Sequence, residues 1–107
     1  MRRLPPALAA AATPRILELL GASPGRVLEL GFAGIHAGPL ELAGWDVVVV
    51  EPDPVQAERA RQRGAVVAER PEGRFDAAVA PAGADLGGVD AARIVLVDER
   101  GRASMAP

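Results

Sequence analysis

Three observations predict an α/β domain built on a parallel sheet. Short apolar runs of strand length alternate with stretches of helix length along the chain. The run WDVVVV, residues 45–50, is unbroken valine after Asp46, the pattern of a strand covered on both faces. Prolines that open helices and glycines that end them fall between the runs, where a strand–helix alternation needs them.

The elements follow in order. TPRILELLG reads as a helix with Thr13 as cap, Pro14 in the first turn and Gly21 as the stop. RVLEL, residues 26–30, is a first strand, and a short helix over residues 35–43 follows, interrupted by Gly38-Pro39. After the valine strand, DPVQAERARQRG is the best helix in the chain: Asp53 caps it, Pro54 opens it and Gly64 ends it. AVVAE is a third strand, FDAAVA a fourth and RIVLVDE a fifth. The glycine-rich link PAGADLGGVDAA between the last two is just long enough for a crossover, with any helix in it short.

At 107 residues the chain supports one domain, here taken over its whole length, and no internal repeat or linker divides it. Half of the residues are hydrophobic and 3% aromatic, so the core is aliphatic. With no cysteine, disulfides, thiolate metal sites and cysteine nucleophiles are excluded, and a cytoplasmic setting is the expectation. A net charge of −2 gives no bulk attraction to nucleic acid or acidic lipid. No apolar run approaches the ~18 residues that span a bilayer, so no membrane is expected. The start, MRRLPPALAAAATP, mimics a signal peptide, but Ile16, Leu17, Leu19 and Leu20 continue it as an amphipathic helix.

In parallel sheets ligands sit beyond the carboxyl ends of the strands. Here those positions are 29–36, 51–53, 69–70, 81–83 and 98–99, and several carry carboxylates. In RVLELGFAGIHAG a carboxylate, Glu29, stands two residues before the first glycine of a loop, where a phosphate would be repelled. ELGFAGI, then EPDPVQAERAR after the second strand, an acidic residue after the third and RFDAAVA at the fourth resemble the class I S-adenosylmethionine-dependent methyltransferases over residues 26–99. The match to that family's acidic-Gly-x-Gly-x-Gly motif is degraded: Gly31 fits, but Ala33 and Ile35 stand at the other glycine positions, with Gly34 between them. The resemblance implies a minimal Rossmann-like three-layer sandwich, a parallel five-stranded sheet in the order 3-2-1-4-5, without the family's sixth and seventh strands.

The resemblance also implies the site. Glu29 would accept hydrogen bonds from the amino-acid end of S-adenosylmethionine, directly or through water. Gly31, with Gly34, would let the backbone approach it. Glu51, followed by Pro52 and Asp53, would take the ribose hydroxyls, and Glu69 the adenine amino group. Pro81 is the one match to the motif after the fourth strand, and free amides at the start of the 35–43 helix would meet the methionine carboxylate. Phe32, read as a residue by itself, either packs on the adenine or sulfonium region or simply fills the loop. His36 and Asp98 are the candidates for a general base or an acceptor-orienting group, each with a plain structural alternative. The competing dinucleotide fingerprint fails at Ala33 and His36. The expected function is methyl transfer to a macromolecular acceptor, RNA or protein, with a non-catalytic cofactor-binding module as the alternative. Arg59, Arg61 and Arg63 read as a solvated face, and Arg2 and Arg3 as a frayed terminus. RIVLV, residues 93–97, is expected at an open sheet edge and therefore in a homodimer interface.

Overall fold

The apolar runs and helical stretches become four helices and eight strands in the computed structural model, which describes residues 4–107. Helices α1 (Pro6–Ala11) and α2 (Thr13–Leu20) precede β1 (Arg26–Leu30); α3 (Ala37–Leu42) leads to β2 (Asp46–Val50), and α4 (Pro54–Gln62) to β3 (Val67–Ala68). The remainder is strand: β4 (Arg74–Phe75), β5 (Ala77–Pro81), β6 (Asp90–Ala91), β7 (Ile94–Val97) and β8 (Ala103–Met105). Arg2 and Arg3 lie outside the described residues. Among the described residues no helix is long and apolar enough to cross a membrane.

The fold is mixed α/β with a mostly parallel six-stranded sheet, β3-β2-β1-β5-β7-β8. Two expectations are corrected at its edge. The sheet has six strands instead of five, because β8 pairs antiparallel with β7 through Val95–Met105, Leu96–Ser104 and Val97–Ala103. The RIVLV strand is therefore flanked by β5 and β8, and the open edge proposed as a dimer interface does not exist there. A separate parallel pair, β4 with β6, takes up Phe75, which the sequence places in the fourth strand.

The expected three layers are also corrected. Alternate residues of each strand point to opposite faces. Val27, Val47, Val49, Val79, Val95 and Val97 join one buried cluster with Ala9, Ile16, Leu20, Leu40 and Ala60, so all four helices contribute to the same face. The other face, with Leu28, Leu30, Val50, Ala78 and Ala80, is covered by Phe75 and by Ala84, Leu86, Val89 and Ala91 of the β5–β7 connection. Right-handed crossovers place that connection opposite α3 and α4. Gly83 and Gly88, both in the left-handed region at φ 85° and 86°, keep it from forming a helix.

Local signals fare unevenly. Asp53 caps α4, its Oδ1 accepting from the Val55 amide at 2.9 Å, with Pro54 in the first turn. Thr13 is not the cap of α2 but its first residue, and its hydroxyl turns inward to His36. Gly38-Pro39 does not break α3: near the helix start the proline has no intrahelical amide bond to lose.

Candidate functional site

The sheet order reverses around β1, where chain connections leave in opposite directions and a crevice opens. A cavity of about 520 Å³ lies there, beyond the carboxyl ends of β1, β2 and β5. Its floor is Leu30 at the end of β1 with Gly31, Phe32, Ala33 and Ile35 after it, Glu51, Pro52 and Asp53 after β2, and Pro81 at the end of β5 with Ala84 and Asp85 beyond. Gln56 and Arg59 of α4, with Arg63 at its C-cap, form one wall, and Leu4, Pro6 and Ala9 near the chain's start form another. The lining is thus largely apolar with a few charged groups, the usual make-up of a small-molecule site.

The loop over residues 31–36 is folded around two carboxylates. Glu51 reaches into it from β2, its Oε1 accepting from the Ala33 amide at 3.2 Å and its Oε2 from the Asp53 amide at 3.1 Å. Arg63 holds the Ala33 carbonyl from the other side. Ala33 therefore sits clamped in the left-handed region at φ 54°, a conformation residues with a Cβ adopt only when their surroundings impose it. Gly31 and Gly34, at φ 79° and 78°, take the same region without that cost.

Glu29 lies beneath this loop, fully buried on the helix-covered face. Its Oε2 accepts from the His36 amide at 3.0 Å, whereas its Oε1 has no hydrogen-bond partner. Burial pushes its pKa up from 4.5 to about 7, against the pull of the Gly34 and His36 amides and the Arg63 charge. His36 is equally buried. Its Nδ1 lies 2.7 Å from the Thr13 hydroxyl, its ring meets Phe32 edge-on at 4.8 Å, and its Nε2 has no partner. Burial lowers its pKa to about 4, so the ring is neutral near pH 7.

The structure brings Gly31, Phe32, Glu51, Pro52, Asp53 and Pro81 together around the cavity. It does not bring the others there. Glu29 and Gly34 are buried behind the lining, and Glu29 accepts from the His36 amide of the loop. Glu69 is exposed beyond β3 and does not line the cavity. Neither candidate base does so: His36 is sealed under the loop, and Asp98 uses Oδ1 to accept from the Arg100 and Arg102 amides, both at 2.9 Å, in the turn before β8. The amides expected to receive a carboxylate are also engaged. Those of Ile35 and Ala37 go to the Phe32 and Gly34 carbonyls, and that of His36 goes to Glu29.

Sequence reasoning missed the cavity walls. Arg59 and Arg63 read as a solvated face, yet their spacing of four places both on one side of α4, which is the signal that could have found them. Leu4, Pro6 and Ala9 carried no local signal, since only tertiary packing sets them beside the cavity. Among the described residues no group of three His, Asp or Glu side chains is arranged to hold a metal ion. The chain matches no protein-family model and no curated protein sequence.

Proposed function

We propose that this chain binds S-adenosylmethionine in the β1/β2/β5 cavity and presents its methyl group to a macromolecular acceptor. The observation that carries the reading is the Glu51 carboxylate at the end of β2, set in the wall of a cavity large enough for a nucleoside. The Ala33 and Asp53 amides donate to its two oxygens and fix the carboxylate in place at the strand end, the position from which a carboxylate accepts from ribose hydroxyls. A dinucleotide suits the site less well. Its pyrophosphate needs free backbone amides, and those of Ala33, Ile35, His36 and Ala37 are turned onto carboxylates and carbonyls of the chain itself.

The charged lining fits a zwitterion. Arg59 and Arg63 can meet the methionine carboxylate, taking the part first expected of the helix amides, while Glu51, Asp53 and Asp85 favour the cationic groups. Phe32, Ile35 and Pro81 offer an apolar surface that excludes water. When bound, S-adenosylmethionine supplies a sulfonium-activated methyl group for direct displacement. The chain's part is then alignment, which alone contributes several kcal/mol to such reactions. Among the described residues no inserted segment or further element lies across the cavity, which favours RNA or protein over a small acceptor.

A second reading has its own support: both candidate bases lie outside the cavity, as a non-catalytic binding module would have them. Calorimetry with S-adenosylmethionine tests the binding. Glu51→Ala is expected to weaken it by about 1–3 kcal/mol, the scale for losing hydrogen bonds to a charged group. Unchanged affinity in a folded variant overturns the assignment. Conversion of methyl-labelled cofactor to S-adenosylhomocysteine in a cell extract separates the two readings, since a binding module retains the cofactor intact.

A further inference from the structure

Glu29 is the one buried carboxylate that the proposed binding does not use, and its surroundings bear on what it can do. It is fully buried, with one oxygen on the His36 amide and the other without a partner. A buried carboxylate left half-paired is costly to ionise. The titratable and charged groups that face it are few. His36, from the loop, is neutral and offers no countercharge. Arg63, at the C-cap of α4, favours the ionised form, and Glu51, just after β2, opposes it. Those last two side chains line the cavity. Charges in the cavity wall therefore already act on Glu29 in opposite directions, although Glu29 itself stays behind the lining.

Resting on the reading that the cavity takes a cationic ligand, we infer that Glu29 is a proton-linked positioning residue: it keeps its proton until a cation enters the cavity, and then releases it to solvent. Ionised Glu29 grips the His36 amide, and attracts the neighbouring Gly34 amide, more strongly than the neutral acid does. The cation thus tightens the loop that frames its own site, by way of charge and with no direct contact. The starting position suits this, because burial holds the group near neutrality, at about 7. The sign follows from linkage: the ligand-bound state prefers ionised Glu29, so affinity rises with pH until the free protein is itself ionised.

The coupling predicts discrimination by charge. S-adenosylmethionine carries a sulfonium, whereas S-adenosylhomocysteine has a neutral sulfur in nearly the same shape. Both are titrated calorimetrically into the full chain, in buffers of different ionisation heat, from about pH 6 to about pH 8. The expected result is release of a fraction of a proton on binding S-adenosylmethionine and less on binding S-adenosylhomocysteine. Affinity for the sulfonium should rise roughly five- to tenfold across that range, the consequence of about one unit of pKa change on binding. In Glu29→Gln that rise should disappear. The Glu29 carboxyl carbon, followed by NMR in the ligand-free chain, should titrate near neutrality.

Each contrary outcome has its own meaning. Tight binding with no proton exchange, or with equal exchange for the two ligands, overturns the coupling and leaves the binding site standing. So does a Glu29 that titrates in the ordinary carboxylate range in the free chain. Absence of binding at every pH overturns the site and the coupling together. If Glu29→Gln does not fold, the wild-type proton count and the NMR titration still decide.

Discussion

Glu29 and His36 lie together under one loop, and burial disfavours the charged form of each, with opposite consequences for stability. Glu29 titrates at about 7 in the fold against 4.5 when exposed, so across that interval the folded chain holds a proton that the unfolded chain lacks. Its contribution is fully present at low pH and is lost as pH rises towards 7. His36 titrates at about 4 against 6.5, so there the unfolded chain holds the extra proton, and its contribution is lost as pH falls. Between 4.5 and 6.5 the two slopes offset each other, and this pair gives the wild-type chain little pH dependence there. Glu29→Gln should unmask the histidine. Measured by urea denaturation, the stability of the variant relative to wild type should climb from about pH 4.5, level off near pH 7 and total about 3 kcal/mol. A difference that stays constant with pH would mean that Glu29 ionises normally. Thr13 enters the same account, because its hydroxyl is hydrogen-bonded to Nδ1 of the His36 ring. Thr13→Val should cost about 1–3 kcal/mol for leaving a buried polar group unpaired.

The loop between β1 and α3 joins these residues to the rest of the fold, and its glycines do different work from glycines elsewhere. Gly34 and Gly64 are both left-handed, at φ 78° and 87°. A Cβ on Gly64 would meet open space, but one on Gly34 would lie 3.2 Å from the Ala60 Cβ and 3.4 Å from its Cα. Gly64→Ala should therefore cost only the left-handed strain of about 1–2 kcal/mol. Gly34→Ala should cost more and also weaken ligand binding, because it pushes the loop from α4; equal losses in thermal unfolding would refute this account. Close contact of this kind also marks what was legible in the sequence. Asp53-Pro54 announced the start of α4, and the valine run announced β2, because caps and continuous burial leave local signatures. β8 left none: RASMAP carries two small alanines and one methionine, and its place is set by pairing with β7. The motif likeness pointed to Glu51 and Glu29 alike, and the structure sets Glu51 in the cavity lining and Glu29 behind it. Sequence spacing fixes where a side chain starts along a strand, not whether the following loop folds over it.

Across the whole molecule, one face of the sheet carries all four helices and the other only short strands and a glycine-rich connection. Stability should therefore be concentrated on the helical face, and β8 contributes to it. Its Ala103 is buried in the helix-side cluster, α2 packs against the strand, and the turn leading into it is pressed on α1. At that turn a Cβ on Gly101 would come within 2.8 Å of the Leu8 carbonyl oxygen. The same strand covers the backbone of β7, whose Val95 and Val97 belong to the core. Removing residues 103–107 should have two effects. It bares the β7 edge, which then offers unpaired amides and carbonyls flanked by apolar side chains, so sedimentation should show association that grows with concentration. It also releases the packing behind α1, which carries Pro6 and Ala9 of the cavity wall, so ligand affinity should fall although no lining residue is touched. Gly101→Ala separates these effects, since it leaves β8 in the chain but forces the turn away from α1. It should lower affinity without association. A truncated chain that remains monomeric with full affinity would show that β7 and α1 hold their positions without the sixth strand.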